Sequence, residues 1–448
     1  MNTRTQEVMH EFYHGLLIND GRRFRNWGSS RSTQPAVYVE PVSYADVQAV
    51  VRDTGQFPTP VRPVGSMLSV TETILNDGGT LLCTRKLDAI IGLETDEQGR
   101  QLVRVQAGCR LKKLNLWLQQ QGWEIPFQAE IGEATVGSVA VGDTKESSLD
   151  GPGYFSSHVT AVLYIDENGS LRILSDRQDG DAFYEFKCSF GLSGIVVECV
   201  IEVRRASLCR ANVTLQAFDS PQALTDGVLK LREECDALLA VVVLHQLACF
   251  AEQRYRADAG NVTPGSSQPA CEQYRIAKRL AIQHGFDGGS LPQPQGIVFS
   301  RHDFVNEYWR PAETEHRLDF QYYEHDIGML EQVIAESYRF TKAFEQKTGF
   351  TPTGWATYFV HRPERKLKPY GIYSGGAGIS CSFDPIYCNP NEPLWQQFAR
   401  EYNRLAIDTL GGNPSPIQTQ WLQPGDVRIP RKLARSRFTT PYYQQFLV

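Results

Sequence analysis

The chain has 448 residues, 41% hydrophobic and 21% charged, with a formal net charge of −6; this is a globular composition, and the length calls for two domains or one domain with a large insertion. The acidic balance and the absence of any long Lys/Arg run argue against a nucleic-acid surface, and no window holds the roughly 18 consecutive apolar residues of a bilayer span. With no apolar signal core at the start and ten cysteines lacking any C-x-x-C pair, the expectation is a cytoplasmic protein with reduced thiols and small-molecule partners.

In chain order, an amphipathic helix is predicted over about residues 3–18. "AVYVEP" (36–41) reads as a strand, and "SYADVQAVVRDTG" (43–55) as a helix opened by Ser43 and stopped by Gly55. "TPVRPVG", "TLLCTRKL" and "RQLVRVQAG" follow as strands, then "RLKKLNLWLQQQG" (110–122) as a helix ending at Gly122. Such alternation suggests a nucleotide-binding α+β or α/β domain. Residues 126–204 are rich in glycine, with a hairpin "TAVLYIDENGSLRIL" turned at Asn168-Gly169 and a strand in "FGLSGIVVECVIEVRR". Beyond about 205 come a helix and strand in "LTDGVLKLREECDALLAVVVLH", a polar loop "GNVTPGSSQPA" (260–270) and a helix in "DIGMLEQVIAESYRFTKAFEQKTG". "LDFQYYEHD" (318–326) and "TGWATYFVHR" (353–362) have the period of strands. No phosphate loop of the G-x-x-x-x-G-K-[ST] type, G-x-G-x-x-G, G-x-S-x-G or H-E-x-x-H occurs. Adjacent acid-His pairs such as Glu324-His325 fall on opposite strand faces, so no metal site is expected.

Six segments in order carry a resemblance: "NWG" (26–28), "VRPVGSMLS" (61–69), "VQAGCRLKKLN" (105–115), "ATVGSVAVGDTK" (134–145), "GYFSSHVTAVLYIDENG" (153–169) and "FGLSGIVVECVIEV" (190–203). The chain resembles the flavoprotein family of vanillyl-alcohol oxidase and para-cresol methylhydroxylase, in particular its branch of sugar-lactone and alditol oxidases and decaprenylphosphoryl-ribose oxidase. "GISCSFDPIY" with a following helix and "GGNPSPIQ" (411–418) resembles the family's returning C-terminal segment. The resemblance implies an α+β fold: a two-subdomain FAD-binding domain at 1–204, a substrate-binding cap with an antiparallel sheet flanked by helices at 205–405, and a segment at 406–448 returning to the FAD domain.

It further implies FAD held by Gly65, Ser66, Met67, Leu68 and Ser69, by Thr135, Val136, Gly137, Ser138, Gly142, Asp143 and Thr144, and by Gly194, Ile195 and Val196. Main-chain amides of tight loops satisfy a diphosphate without a cation, and glycine admits close backbone approach. Leu68 stands where covalent members carry a flavin-bonded His, so the FAD is expected to be non-covalent, with Met67 and Leu68 against its dimethylbenzene edge. Lys145 occupies the place of the His in a T-H-G segment, and Gln418 that of a lysine. Both are candidate catalytic residues, with Tyr358 and His361, alongside Tyr322, lining the cap pocket; Tyr442 or Tyr443 would close it. The implied activity is hydride transfer from a CH–OH or CH–NH group of a small polar substrate to FAD, reoxidised by O2. The alternatives are a dehydrogenase that passes electrons to a quinone or protein, and a flavin-binding module without turnover.

Overall fold

The computed structural model describes residues 16–19, 22–127, 131–142, 144–147, 151–187, 189–257, 293, 295–300, 319–362 and 378–448. The loop expected at 260–270 and most of the expected opening helix lie outside these residues. The end of that helix is corrected: Leu17–Asn19 is a strand, paired antiparallel with Val37–Glu40.

A first, four-stranded sheet runs Leu17–Asn19, Val37–Glu40, Thr80–Cys83, Val61–Val64, the last three mutually parallel. Thr80–Cys83 is buried at every residue, as a central parallel strand covered on both faces must be. Helix Tyr44–Arg52 covers one side, starting at a capping box in which Ser43 and Asp46 bond each other's backbone. Its Val47, Val50 and Val51 join Val61 and Leu82 in the core.

The second sheet is antiparallel, in the order Leu171–Ser175, Val159–Ile165, Ile195–Arg205, Gln101–Gln106, Ile90–Thr95, with Trp123–Glu124 added to Ile195–Arg205. The predicted hairpin turns at Asn168-Gly169, where Gly169 has φ +74°, a left-handed conformation that favours glycine. Helix Leu111–Gln120 buries Leu111, Leu114 and Leu118 and is followed by Gly122 at φ +75°. The short helix Val136–Val141 packs into the same core.

A third sheet of nine antiparallel strands runs Ile297–Ser300, Leu208–Ala217, Ala248–Ala257, Ala237–Val243, Gly354–Arg362, Gly378–Tyr387, Tyr323–Asp326, Asn413–Pro414, with Asp319–Phe320 beside Gly378–Tyr387. Helices Pro221–Glu233, Leu330–Thr348 and Pro393–Arg404 pack on it around Trp355, Trp395, Phe398 and Tyr402. The strand expected at 318–326 is split: Tyr322 accepts Ser415 N and exchanges bonds with Thr419 Oγ1, while Gln321 Oε1 accepts Gln420 N. The Tyr322 backbone there serves the returning segment, while Gln321 N donates to Pro385 O of the sheet at 3.2 Å.

From Asn413 the chain travels back to the first sheet. Arg437 donates to Val50 O, Val51 O and Thr59 Oγ1, and its own carbonyl accepts Val61 N at 2.7 Å. Leu422, Val427, Ile429, Tyr443 and Phe446 pack on Phe190 and Leu192. No disulfide joins the eight described cysteines to one another. No helix among the described residues is long and apolar enough to cross a membrane.

Candidate cofactor and substrate site

A cavity of about 300 Å³ is lined by residues of all three sheets and of the returning segment, a size in the range of ligand pockets. One part is the loop that leaves strand Val61–Val64. Gly65 lies so close to the next wall that a Cβ would sit 2.0 Å from Thr135 Oγ1 and 2.8 Å from Ser138 Oγ, so only glycine fits. Met67 has φ +56°, a strained conformation for a bulky residue and one that clusters at functional sites. Ser66 Oγ donates to Glu133 O at 2.5 Å and Ser69 Oγ to Ile417 O at 2.6 Å, which fixes both ends of the loop. The amides of Ser66, Met67 and Leu68 donate to no acceptor among the described residues. Consecutive unpaired amides on a cavity wall fit an anionic diphosphate.

The other expected cofactor residues divide. Thr135, Gly137, Ser138, Gly142, Thr144, Gly194 and Val196 line the cavity together with Gly65–Ser69. Val136 and Ile195 do not: both are fully buried in the cores behind it. Asp143 lies outside the described residues. The reason for two of the glycines also differs from the expected cofactor approach. A Cβ on Gly137 would meet Ala107 Cβ at 2.7 Å, and one on Gly194 would meet the Tyr164 ring at 2.4 Å, so these serve protein packing. Met67 is likewise packed on the Phe24, Tyr38 and Val64 cluster.

Arg62, which the sequence reading passed over, lines the same cavity. Its Nε donates to Thr73 O at 2.9 Å, Nη1 to Phe190 O at 2.8 Å and Nη2 to Tyr443 OH at 3.3 Å. It thereby ties the loop wall to the C-terminal segment. An arginine in the middle of the short apolar strand "VRPV" was the available signal, since a buried guanidinium demands several acceptors. Of the two tyrosines named as closing groups, Tyr443 lines the cavity; Tyr442 bonds Pro416 O.

At the cap end stands Lys145, held by a bridge to Tyr154 and by Glu146 N donating to Gly153 O at 3.0 Å. Its side chain is 7% exposed, and Nζ lies 3.5 Å from Asp384 Oδ2 and 3.1 Å from the Tyr322 ring centroid, with Tyr358 at 4.8 Å. Nζ has no hydrogen bond of good geometry. Burial lowers the lysine pKa to about 8 against the opposing pull of Asp384 and Glu324, and burial raises Asp384 to about 6 while Lys145 holds it down. Glu324 accepts the hydroxyls of Tyr154 and Tyr322.

Gln418 and Tyr358 also line the cavity, and Gln418 Oε1 is buried without a partner. His361 does not line it; its Nε2 is 3.4 Å from Arg232 Nη2, and burial followed by that guanidinium lowers its pKa. The sequence reading missed Asp384, which lines the cavity, and Glu324, which bonds the cavity residue Tyr322 without lining it.

Residues 35–175 match the family described as FAD binding domain. A D-arabinono-1,4-lactone oxidase of Eremothecium gossypii is 30% identical over 40% of this chain and 34% of its own length. An L-gulonolactone oxidase of Mus musculus is 24% identical over 41% of this chain and 40% of its own. An L-galactono-1,4-lactone dehydrogenase of Brassica oleracea, named as mitochondrial, is 26% identical over 43% and 31%. These matches thus span between about a third and two fifths of the relatives' lengths. In three dimensions the chain is similar to cholesterol oxidase from Brevibacterium sterolicum, at 13% identity, with a TM-score of 0.67 and coverage of 92% of this chain and 88% of that one. That likeness extends the shared fold over the nine-stranded sheet. The match identifies residues 35–175 as an FAD-binding domain, so FAD is the cofactor, and the chain shares its fold with cholesterol oxidase and part of its sequence with lactone oxidases and dehydrogenases.

Proposed function

We propose that this chain is an FAD-dependent oxidoreductase that oxidises a hydroxyl-bearing carbon, with FAD held non-covalently and reoxidised by O2. The observation that carries this reading is Lys145, a side chain only 7% exposed whose Nζ is buried at the cofactor cavity beside Asp384 and two tyrosine rings. Bound FAD supplies the hydride acceptor.

In this reading the amides of Ser66, Met67 and Leu68, with Thr135, Ser138, Gly142, Thr144, Gly194 and Val196 around them, hold the cofactor. Leu68 offers no nucleophile for a covalent link. Residues 1–204 and 406–448 make up the cofactor-holding part, and 205–405 the cap that excludes water. Lys145 takes the substrate's hydroxyl proton on Nζ, which its lowered pKa of about 8 suits. Asp384 and the Tyr322 ring fix the direction of that nitrogen, and Gln418 Oε1 accepts a hydrogen bond in the same space.

The test is the visible spectrum of the purified protein before and after acid precipitation. A yellow supernatant supports both the cofactor and its attachment; a colourless protein that takes up no added FAD overturns the reading. Because one relative bears the name dehydrogenase, peroxide release during turnover separates O2 from a quinone or protein acceptor.

A further inference from the structure

We infer that the substrate of this site is a compact, uncharged alcohol with an apolar body, in place of a polyhydroxylated lactone. The inference rests on the oxidoreductase reading above and concerns the wall contributed by the cap sheet.

Three neighbouring strands present one face to the cavity. Val241 is paired with Ala356, and Ala356 in turn with Asp384; Leu239 is paired with Tyr358. Side chains alternate across a strand, so Leu239 and Val241, Ala356 and Tyr358, Asp384 and Ile386 share that face, and all six line the cavity. Ala356 at the centre of the grid, between Val241 and Asp384, leaves a shallow apolar recess.

The polar groups on this side are few and mostly engaged. Asp384 faces Lys145, and the Tyr322 hydroxyl donates to Glu324. Arg62 directs its nitrogens to Thr73 O, Phe190 O and the Tyr443 hydroxyl. What remains buried without a hydrogen bond among the described lining residues is Lys145 Nζ and Gln418 Oε1. The reacting hydroxyl gives its proton to Lys145 Nζ, which leaves Gln418 Oε1 as the acceptor for one further donor. A carboxylate or phosphate would meet a lysine already paired with an aspartate, at the edge of an aliphatic surface. Beyond the Tyr358 hydroxyl, further hydroxyls of a lactone would face Leu239, Val241 or Ile386, which offer no partner among the described residues of this wall, and every such group weakens binding by about tenfold.

The experiment uses the FAD-loaded protein under anaerobic conditions, titrated separately with cinnamyl alcohol and with D-arabinono-1,4-lactone while the flavin difference spectrum is recorded. Cinnamyl alcohol is expected to bind at least roughly tenfold more tightly, the loss attached to a single unpaired hydroxyl. Val241→Asn, which places an amide in the apolar grid, is expected to narrow that ratio. Equal or tighter binding of the lactone, or no perturbation by cinnamyl alcohol, overturns the inference. Bleaching by the lactone would do so while leaving the oxidoreductase reading intact, whereas a protein that takes up no FAD removes both.

Discussion

The hydroxyl of Tyr154, a residue beside the second sheet, donates to the carboxylate of Glu324 on a strand of the cap sheet, with both side chains buried. Tyr322 donates to Oε2 of the same carboxylate, 3.2 Å away. One acid therefore joins the residues beside the second sheet to the nine-stranded sheet and holds the Tyr322 ring beneath Lys145.

Removing one of those donors leaves a buried carboxylate short of a partner. Tyr154→Phe is expected to destabilise the protein by about 1–3 kcal/mol, read as a lowered denaturant midpoint. An unchanged midpoint would show that the link contributes nothing to stability.

Lys145→Met is expected to lower turnover by about 100-fold or more while flavin content is kept, since the 65–69 loop is untouched. In the parent protein kcat/KM should rise as pH passes through about 8, where the ammonium loses its proton; the variant should lack that limb. The stability profile gives an independent check. The folded-state value lies below the ordinary 10.5, so the associated stability is present above 10.5 and lost as pH falls through about 8. Lys145→Met should flatten the profile across that window.

Gly65→Ala would drive a methyl group into Thr135 and Ser138. A loss of about 1–3 kcal/mol is expected from the overpacking, together with weaker FAD uptake measured by titration into the apoprotein. Thr135→Ala in the same chain should recover part of both.

Much of the cavity wall around the 65–69 loop was legible in the sequence because it is local. The strand "VRPVG", its loop and the segment at 134–145 are each continuous, and the hairpin announced itself through Asn168-Gly169. Some errors there were avoidable. Gly194 and Val196 face the cavity, so Ile195 between them must point away, as the period of a strand requires. The same period separates Tyr358 from His361, three residues apart. Asp384 and Glu324 are a different matter. Glu324 sits in the strand "YEHD" and Asp384 in "GISCSFDPIY", both far along the chain from Lys145 and Tyr154, and only the sheet register brings them together. Gly137 and Gly194 show a third limit: a glycine signals that something approaches closely, but not whether it is a ligand or the Ala107 and Tyr164 of the protein itself.

The stitching of Arg437 onto Val50, Val51 and Thr59, with Ile417 and Gln418 completing the cavity wall, makes the cofactor half discontinuous along the polypeptide. During synthesis on the ribosome, residues before about 205 emerge with that surface still uncovered and wait for some two hundred intervening residues before the final contacts become available. A nascent chain stalled before about residue 413 would accordingly lack the Ile417 and Gln418 wall of the cavity.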